Sequence, residues 1–369
     1  MIGQVIACVL GLALLPQWPF LSGATAPTWS RMSPALKTGK LDVPSFAIVP
    51  FSQCVLILPL PNTRLTILLS NMRPRMSFDD VAWEQSETIV DAFVDKVLEP
   101  ETLRAIVLEH RRGVPIEFGD ARAGTFNISL RMTYQDGGAA VVRFPKPGAS
   151  MFPEEKVRNE VATIRYTQDN TSIPVPSILH WGTREESPLG LGPFIIMEYI
   201  KHDMNLCAPL NTPGLHWEDR PILDPRISID KLEMLYRHLA DILVQLSTLS
   251  LPRVGSLEQL DDISYDVTRR PLPMGVNELV RLGSFPRSEL PNSTYSTALS
   301  YFEELADLHM KHLDHQRNDA VDDADDCRRK FVARYLFRRL AKQGKLNPYA
   351  TNGGPFKLCV MTFGPLMFF

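Results

Sequence analysis

AAVVRFPKPGASMFPEEKVRNE, residues 139–160, reads as an apolar run, a Pro/Gly turn and then an amphipathic segment. The run predicts a buried strand, on which Val141 and Arg143 share one face by two-residue alternation. The segment predicts a helix, on which Val157, Glu160, Val161 and Ile164 recur at 3.6-residue spacing on one face. A carboxylate inside that apolar stripe is costly unless it meets a cation. Arg143, carried on the preceding strand and aimed at the same side, is the expected partner. Taken locally, such a pair serves as a tie between helix and sheet or as part of a functional site.

Composition bounds the rest. With 369 residues, 44% hydrophobic, the chain can fill one large or two ordinary domains. A formal net charge of -3 supplies no global field toward nucleic acid or an anionic membrane, so neither is expected as a partner. Cys8, Cys54, Cys207, Cys327 and Cys359 are scattered, with no CxxC pair. That usage fits a reducing compartment and a cytoplasmic protein. The sequons at Asn127, Asn170 and Asn292 matter only if the chain is secreted.

Residues 1–75 match the remainder poorly and read as a leader or a gene-model artefact, with Met76 close to the start of the folded protein. Gln4 to Leu15 is apolar but lacks a basic flank, which leaves a secretory leader within residues 1–25 as the alternative. The second apolar run, Phe46 to Leu69, is interrupted by Pro50, Pro59, Pro61 and Arg64, too often for a membrane span. Residues 76–115 form an N-terminal helical segment, with Ser77 as N-cap and Val81, Trp83, Ile89, Phe93, Val94 and Val97 at apolar positions.

Residues 116–200 read as a small mixed lobe. Ile128 to Met132 alternates as a strand and Asp136-Gly137-Gly138 marks a hairpin turn. The organising strand and helix follow, then extended chain from Ile173 to Trp181 and an apolar strand from Pro193 to Ile200. This order predicts an antiparallel sheet with one packed helix. Residues 201–369 read as largely helical. Ser228 or Asp230 caps a helix bearing Leu232, Leu235, Leu239, Ile242, Leu243 and Leu246. Further helices are expected from about Ser296 to Gln316, with Leu299, Phe302, Leu305 and Leu308 inward, and from Phe331 to Leu340. A turn into a strand is expected at GGPFKL.

Three local signals bear on chemistry. Arg122 to Asn127 is a loop between extended segments, where Gly124 would let the backbone approach a phosphate or simply turn a hairpin. His309, His312 and His315 recur every three residues and are read as a solvated helix face rather than a metal site. The acids Asp319 to Asp326 followed by Arg328, Arg329 and Lys330 fit helix-dipole and i,i+4 compensation. No GxSxG, HExxH, Walker loop or Rossmann fingerprint is present.

Several long, irregular phrases point to a family: VVRFPKPG, EEKVRNEVATIRY, TSIPVPSILHWG, LGPFIIMEYI, RPLPMGVNELV and HQRNDAVDDADDCRRKFVARYLFRRL. From about Met76 to Leu358 the chain resembles the fungal branch of the aminoglycoside phosphotransferase (choline-kinase-like) superfamily. The resemblance implies an α+β, protein-kinase-like two-lobed fold, a small antiparallel-sheet lobe with one helix plus an incomplete helical lobe. It implies transfer of a phosphoryl group from ATP, with Mg, to a hydroxyl of an unidentified small molecule. Carried over by position, Arg143 is the ATP-phosphate cation, Glu160 its helix partner and Gly124 part of the phosphate loop. Val141 lies in the same nucleotide-facing strand, and Met197, Glu198 and Tyr199 form the hinge that meets the adenine. Arg stands where many relatives carry Lys, and a forked guanidinium is not equivalent to an ammonium.

The larger departure follows Phe356-Lys357-Leu358. Relatives continue with W-C-D-D-F-R-P-S-N-V, supplying a catalytic base and a metal ligand, whereas this chain reads CVMTFGPLMFF to Phe369. Loss of one G from a TGG codon converts one reading into the other. Across the junction, Met361-Thr362 encodes only GAC, an Asp, and Met367-Phe368 encodes only GTT, a Val. The tail is therefore expected to be a frame-shifted catalytic loop. The chain as it stands is expected to offer no catalytic or metal-binding residue and to be inactive in transfer. The alternative is a pseudokinase-like module that binds a nucleotide or a partner without catalysis.

Overall fold

The computed structural model describes residues 46–51, 54–59, 79–99, 102, 115–119, 121–202, 209–215, 222–315, 321, 323–346 and 353–358. The fold is α+β. Its centre is a six-stranded sheet of β3 (Pro115–Phe118), β4 (Arg122–Ala123), β5 (Asn127–Tyr134), β6 (Ala139–Pro145), β7 (Ile178–Gly182) and β8 (Phe194–Glu198). The strand order is β3-β5-β6-β8-β7, with β4 also paired to β5, and every pairing is antiparallel. A separate hairpin of β1 (Phe46–Phe51) and β2 (Cys54–Pro59) lies in the run that the prolines had marked as interrupted. Among the described residues no helix is long and apolar enough to cross a membrane.

The β5–β6 hairpin forms where the turn signal stood. The Asp136 carboxylate accepts from Gly138 N at 2.9 Å, and Gly137 takes φ 79°, a conformation that favours glycine. Alternation along the strands then sorts the side chains onto two faces. Leu130, Met132, Val142, Phe144, Phe194 and Ile196 are buried on one face under Phe93 and Val97 of α1 (Asp80–Leu98). Each of those two helix side chains contributes roughly 1.5–3 kcal/mol by leaving water.

α1 differs in detail from its sequence reading. Its N-cap is Asp79, whose Oδ1 accepts from Val81 N at 2.9 Å and Ala82 N at 3.3 Å. The predicted cap Ser77 lies outside the described residues. The buried stripe is Ser86, Val90, Phe93 and Val97, while Val81, Trp83 and Ile89 are exposed. Arg281 lies across the Trp83 ring with its guanidinium carbon 5.2 Å from the centroid.

The opposite sheet face receives α2 (Pro153–Asn170), which starts with Pro at its first turn and places Glu154 and Glu155 where the helix dipole favours acids. Val157, Val161 and Ile164 pack on Ile195 and Met197, with Val141 at the rim of the cluster. The other side of α2 carries a two-stranded ribbon, β9 (Ser256–Gln259) and β10 (Tyr265–Arg269), through Ala162 against Leu257 and Val267. Neither ribbon strand is anticipated from the sequence, where residues 201–369 read as largely helical.

The helices of the C-terminal part are α3 (Ile229–Thr248), α4 (Met274–Arg281), α5 (Ala298–His315) and α6 (Ala324–Lys342). The Ser228 hydroxyl caps α3 by accepting from Lys231 N. Leu239, Ile242 and Leu246 are buried, Leu232 and Leu235 pack partly against them, and Leu243 is exposed. α6 begins seven residues before the predicted Phe331. Asp323 caps it by accepting from Asp326 N at 2.7 Å, and Asp325 and Asp326 occupy its first turn. Of the preceding acids, residues 319 and 322 lie outside the described set. Phe356 forms an isolated antiparallel bridge with Leu251, and Leu358 packs partly against the α3 cluster. Residues 359–369 lie outside the described residues.

Candidate functional site

The strand-helix pair forms as the residue spacing implies. The Arg143 guanidinium meets the Glu160 Oε1 within the fold, with both side chains about 95% shielded (4% and 5% exposed). Burial pushes the guanidinium down to about 9, so it remains protonated at neutral pH. Two unlike charges satisfy each other here, and removing either would strand its partner without water.

A third group completes the cluster. Lys156 sits one helical turn before Glu160 and donates to Glu160 Oε2 at 3.1 Å and to Asn127 Oδ1 at 3.0 Å. Burial, and then the positive charge of Arg143, push its ammonium down to about 7. Its side chain is 23% exposed, far more than that of Arg143. Ser129 lies beside Arg143 in the β5–β6 register and is buried. Sequence reading singles out neither Lys156 nor Ser129, and takes Asn127 as a sequon and as the last residue of the Gly124 loop, not as a side-chain partner. The i,i+4 spacing of Lys156 and Glu160 was the available signal.

The other candidate residues fall into two places along β6. Val141 pairs with Met197 of β8, and Arg143 pairs with Ile195, so Val141, Arg143, Glu160 and Met197 share the α2 face. Glu198 is exposed at the end of β8, and its N donates to Ser177 O at 3.0 Å. Tyr199 follows, with its N bonded to Ala139 O at 3.2 Å and the Arg131 guanidinium carbon 4.0 Å above its ring. Gly124 stands at the opposite end, where its N donates to Asn127 O at 2.8 Å and closes the β4–β5 turn. Its amide is thus engaged within the hairpin.

Of the histidines expected on a solvated face, His315 is exposed there, but His309 is half-buried and His312 is buried. His312 is 1% exposed, and its ring packs edge-on to Phe285. Arg334 Nη2 lies 3.2 Å from His312 Nδ1, and since a guanidinium only donates, Nδ1 accepts and carries no proton. Burial, then the Arg334 charge, hold both His309 and His312 down at about 4. The helical hairpin of α5 and α6 closes over them, a tertiary effect that three-residue spacing does not reveal. Among the described residues no group of three His, Cys, Asp or Glu side chains could hold a metal ion.

No known protein-family model matches the chain, and no curated protein matches it either. The resemblance therefore rests on the quoted phrases and on the residues they contain.

Proposed function

We propose that the sheet unit is a nucleotide-binding lobe, holding ATP along the α2 face of β6 with the base toward Val141 and Met197–Tyr199 and the phosphates toward Arg143. The observation that carries this reading is the buried Arg143–Glu160 pair, set two residues along the strand from the small apolar Val141. From Ala139, which bonds Tyr199, to Arg143 the strand advances ~13 Å, enough to seat a base at one end and a polyphosphate at the other. Two cations, Arg143 and Lys156, stand at the phosphate end.

In the reaction implied by the resemblance, ATP supplies the phosphoryl group and Mg neutralises its charge. The acceptor is a small-molecule hydroxyl that the helical part would receive, in a two-lobed, kinase-like arrangement placed in the cytoplasm. This chain's part in that chemistry is binding and orientation of the polyphosphate. The described residues supply no metal cluster, and the resemblance assigns the base and metal ligands to the loop after Leu358. That loop reads CVMTFGPLMFF here, so we propose that the 369-residue chain binds nucleotide without transferring phosphate.

The test is a paired assay on the purified chain: thermal stabilisation by ATP, and ADP release with a panel of small-molecule alcohols. Stabilisation without ADP release is expected, because a ligand bound only by the folded state raises apparent stability. Turnover above the buffer rate contradicts the inactive reading. No stabilisation by millimolar ATP contradicts nucleotide binding, and leaves Arg143–Glu160 as a tie between helix and sheet.

A further inference from the structure

We propose that Lys156, and not Arg143, is the cation that touches the phosphates of a bound nucleotide, while Arg143 acts through Glu160 to position it. The inference rests on the nucleotide-binding reading and reassigns its central contact.

Three observations carry it. The first is access: the Arg143 side chain is 4% exposed and its guanidinium is joined to Glu160, whereas the Lys156 side chain is 23% exposed. A ligand reaches Arg143 only by first separating a buried ion pair, which is costly. The second is donor capacity. An ammonium has three N–H donors, and Lys156 gives two of them, to Asn127 Oδ1 at 3.0 Å and Glu160 Oε2 at 3.1 Å. One remains for a ligand oxygen, on a side chain that water already reaches.

The third is geometry. Glu160 presents Oε1 to Arg143 and Oε2 to Lys156, so its two oxygens face different cations. Arg143, anchored in the sheet between Ser129 and Ile195, thereby fixes the carboxylate that fixes the ammonium. Asn127, at the end of the β4–β5 turn, holds the ammonium from the sheet side. The lysine is thus preset from both α2 and β5 rather than left mobile, which lowers the ordering cost of contacting an anion.

Binding of ATP, tripolyphosphate and adenosine to the full chain tests this, using Lys156→Gln, Lys156→Arg and the unmodified protein. Lys156→Gln should weaken ATP and tripolyphosphate about tenfold or more, the worth of one charge-assisted hydrogen bond, and leave adenosine unchanged. Lys156→Arg should restore most of the loss. The comparison of ligands within one variant removes any change in overall stability. Equal ATP affinity in Lys156→Gln and the unmodified protein overturns the proposal. Tripolyphosphate binding that depends on Lys156, with no ATP or adenosine preference, keeps the lysine contact and removes the nucleotide reading. No binding of any of the three ligands by the unmodified protein overturns both.

Discussion

Glu160 divides its carboxylate between two cations, with Arg143 on Oε1 and Lys156 on Oε2, in a cluster where only the lysine reaches solvent. Sheet and helix are held together by charge at the point where both would otherwise be apolar. The arrangement makes the pair sensitive to one-sided change.

Glu160→Ala should destabilise the protein by about 3–5 kcal/mol, because it leaves the Arg143 guanidinium buried and unpaired. The double variant Arg143→Met with Glu160→Leu should recover most of that loss, since no charge is then stranded. Urea unfolding at neutral pH measures both. A single variant as stable as the original chain would mean that the pair does not form in solution.

Lys156 predicts a pH signature. Its ammonium is held near 7 by burial and by Arg143, with Glu160 on its own helix and Asn127 on β5 as its facing partners. An anion that accepts from the protonated form raises that value, so binding takes up a proton. ATP affinity should therefore fall as pH rises from about 7 to about 8.5, and the slope should vanish in Lys156→Gln. Calorimetric titration in buffers of different ionisation heat reads the proton directly.

His309 and His312 predict an acid-side loss of stability. Their folded-state values are held at about 4 against an ordinary 6.5, so the unfolded chain binds more protons between those limits. Stability from this source is complete above about 6.5 and declines as pH falls toward 4. The facing charges are Arg334 and Lys330 from α6, both of which oppose protonation. The midpoint of urea unfolding, followed from pH 7 downward, should drop across this window. A flat profile there would show that neither ring is buried neutral.

Gly148 and Ser86 define a close approach between the β6–α2 turn and α1. Gly148 has φ 85°, and a Cβ on it would lie 2.7 Å from Ser86 O. Ser86 Oγ also donates to Gly148 O at 2.9 Å and accepts from Arg281 Nε at 2.7 Å. Gly148→Ala should cost on the order of 1–3 kcal/mol from backbone strain, with a further loss from separating α1. Thermal unfolding checks it, and an unchanged midpoint would contradict the packing.

How far the sequence spoke depends on the range of the interaction. β6, α2 and the Arg143–Glu160 pair were readable because two-residue and 3.6-residue periods and one misplaced carboxylate lie within 22 residues of each other. α1 was readable as a helix but not in its facing, since Trp83 and Ile89 look as apolar as Val90 and Phe93. Only packing on β5 and β6 decides which stripe is buried. The β9–β10 ribbon was missed because its strands are short and flanked by prolines, and it is held by distant partners on α2. Asn159 Nδ2 donates to Ser256 Oγ at 3.1 Å, and Arg165 Nη1 to Gln259 Oε1 at 2.7 Å. His312 was misread for the same reason, because α6 buries it.

At the candidate site, the residues named from sequence divide as the strand does. Val141, Arg143, Glu160 and Met197 come to one face, with Tyr199 and Gly124 at its two ends. Lys156 was hidden in plain view, as one of three charged residues in a row at the start of α2.

Hydrogen exchange of the 369-residue chain with and without ATP tests the central claim most directly. Nucleotide held along β6 should slow exchange at the amides of 139–143 and 197–199 and in the turn of 124–127, and leave α5 and α6 unchanged. ATP-dependent protection confined to the helical part, or no protection anywhere at saturating ATP, would contradict it.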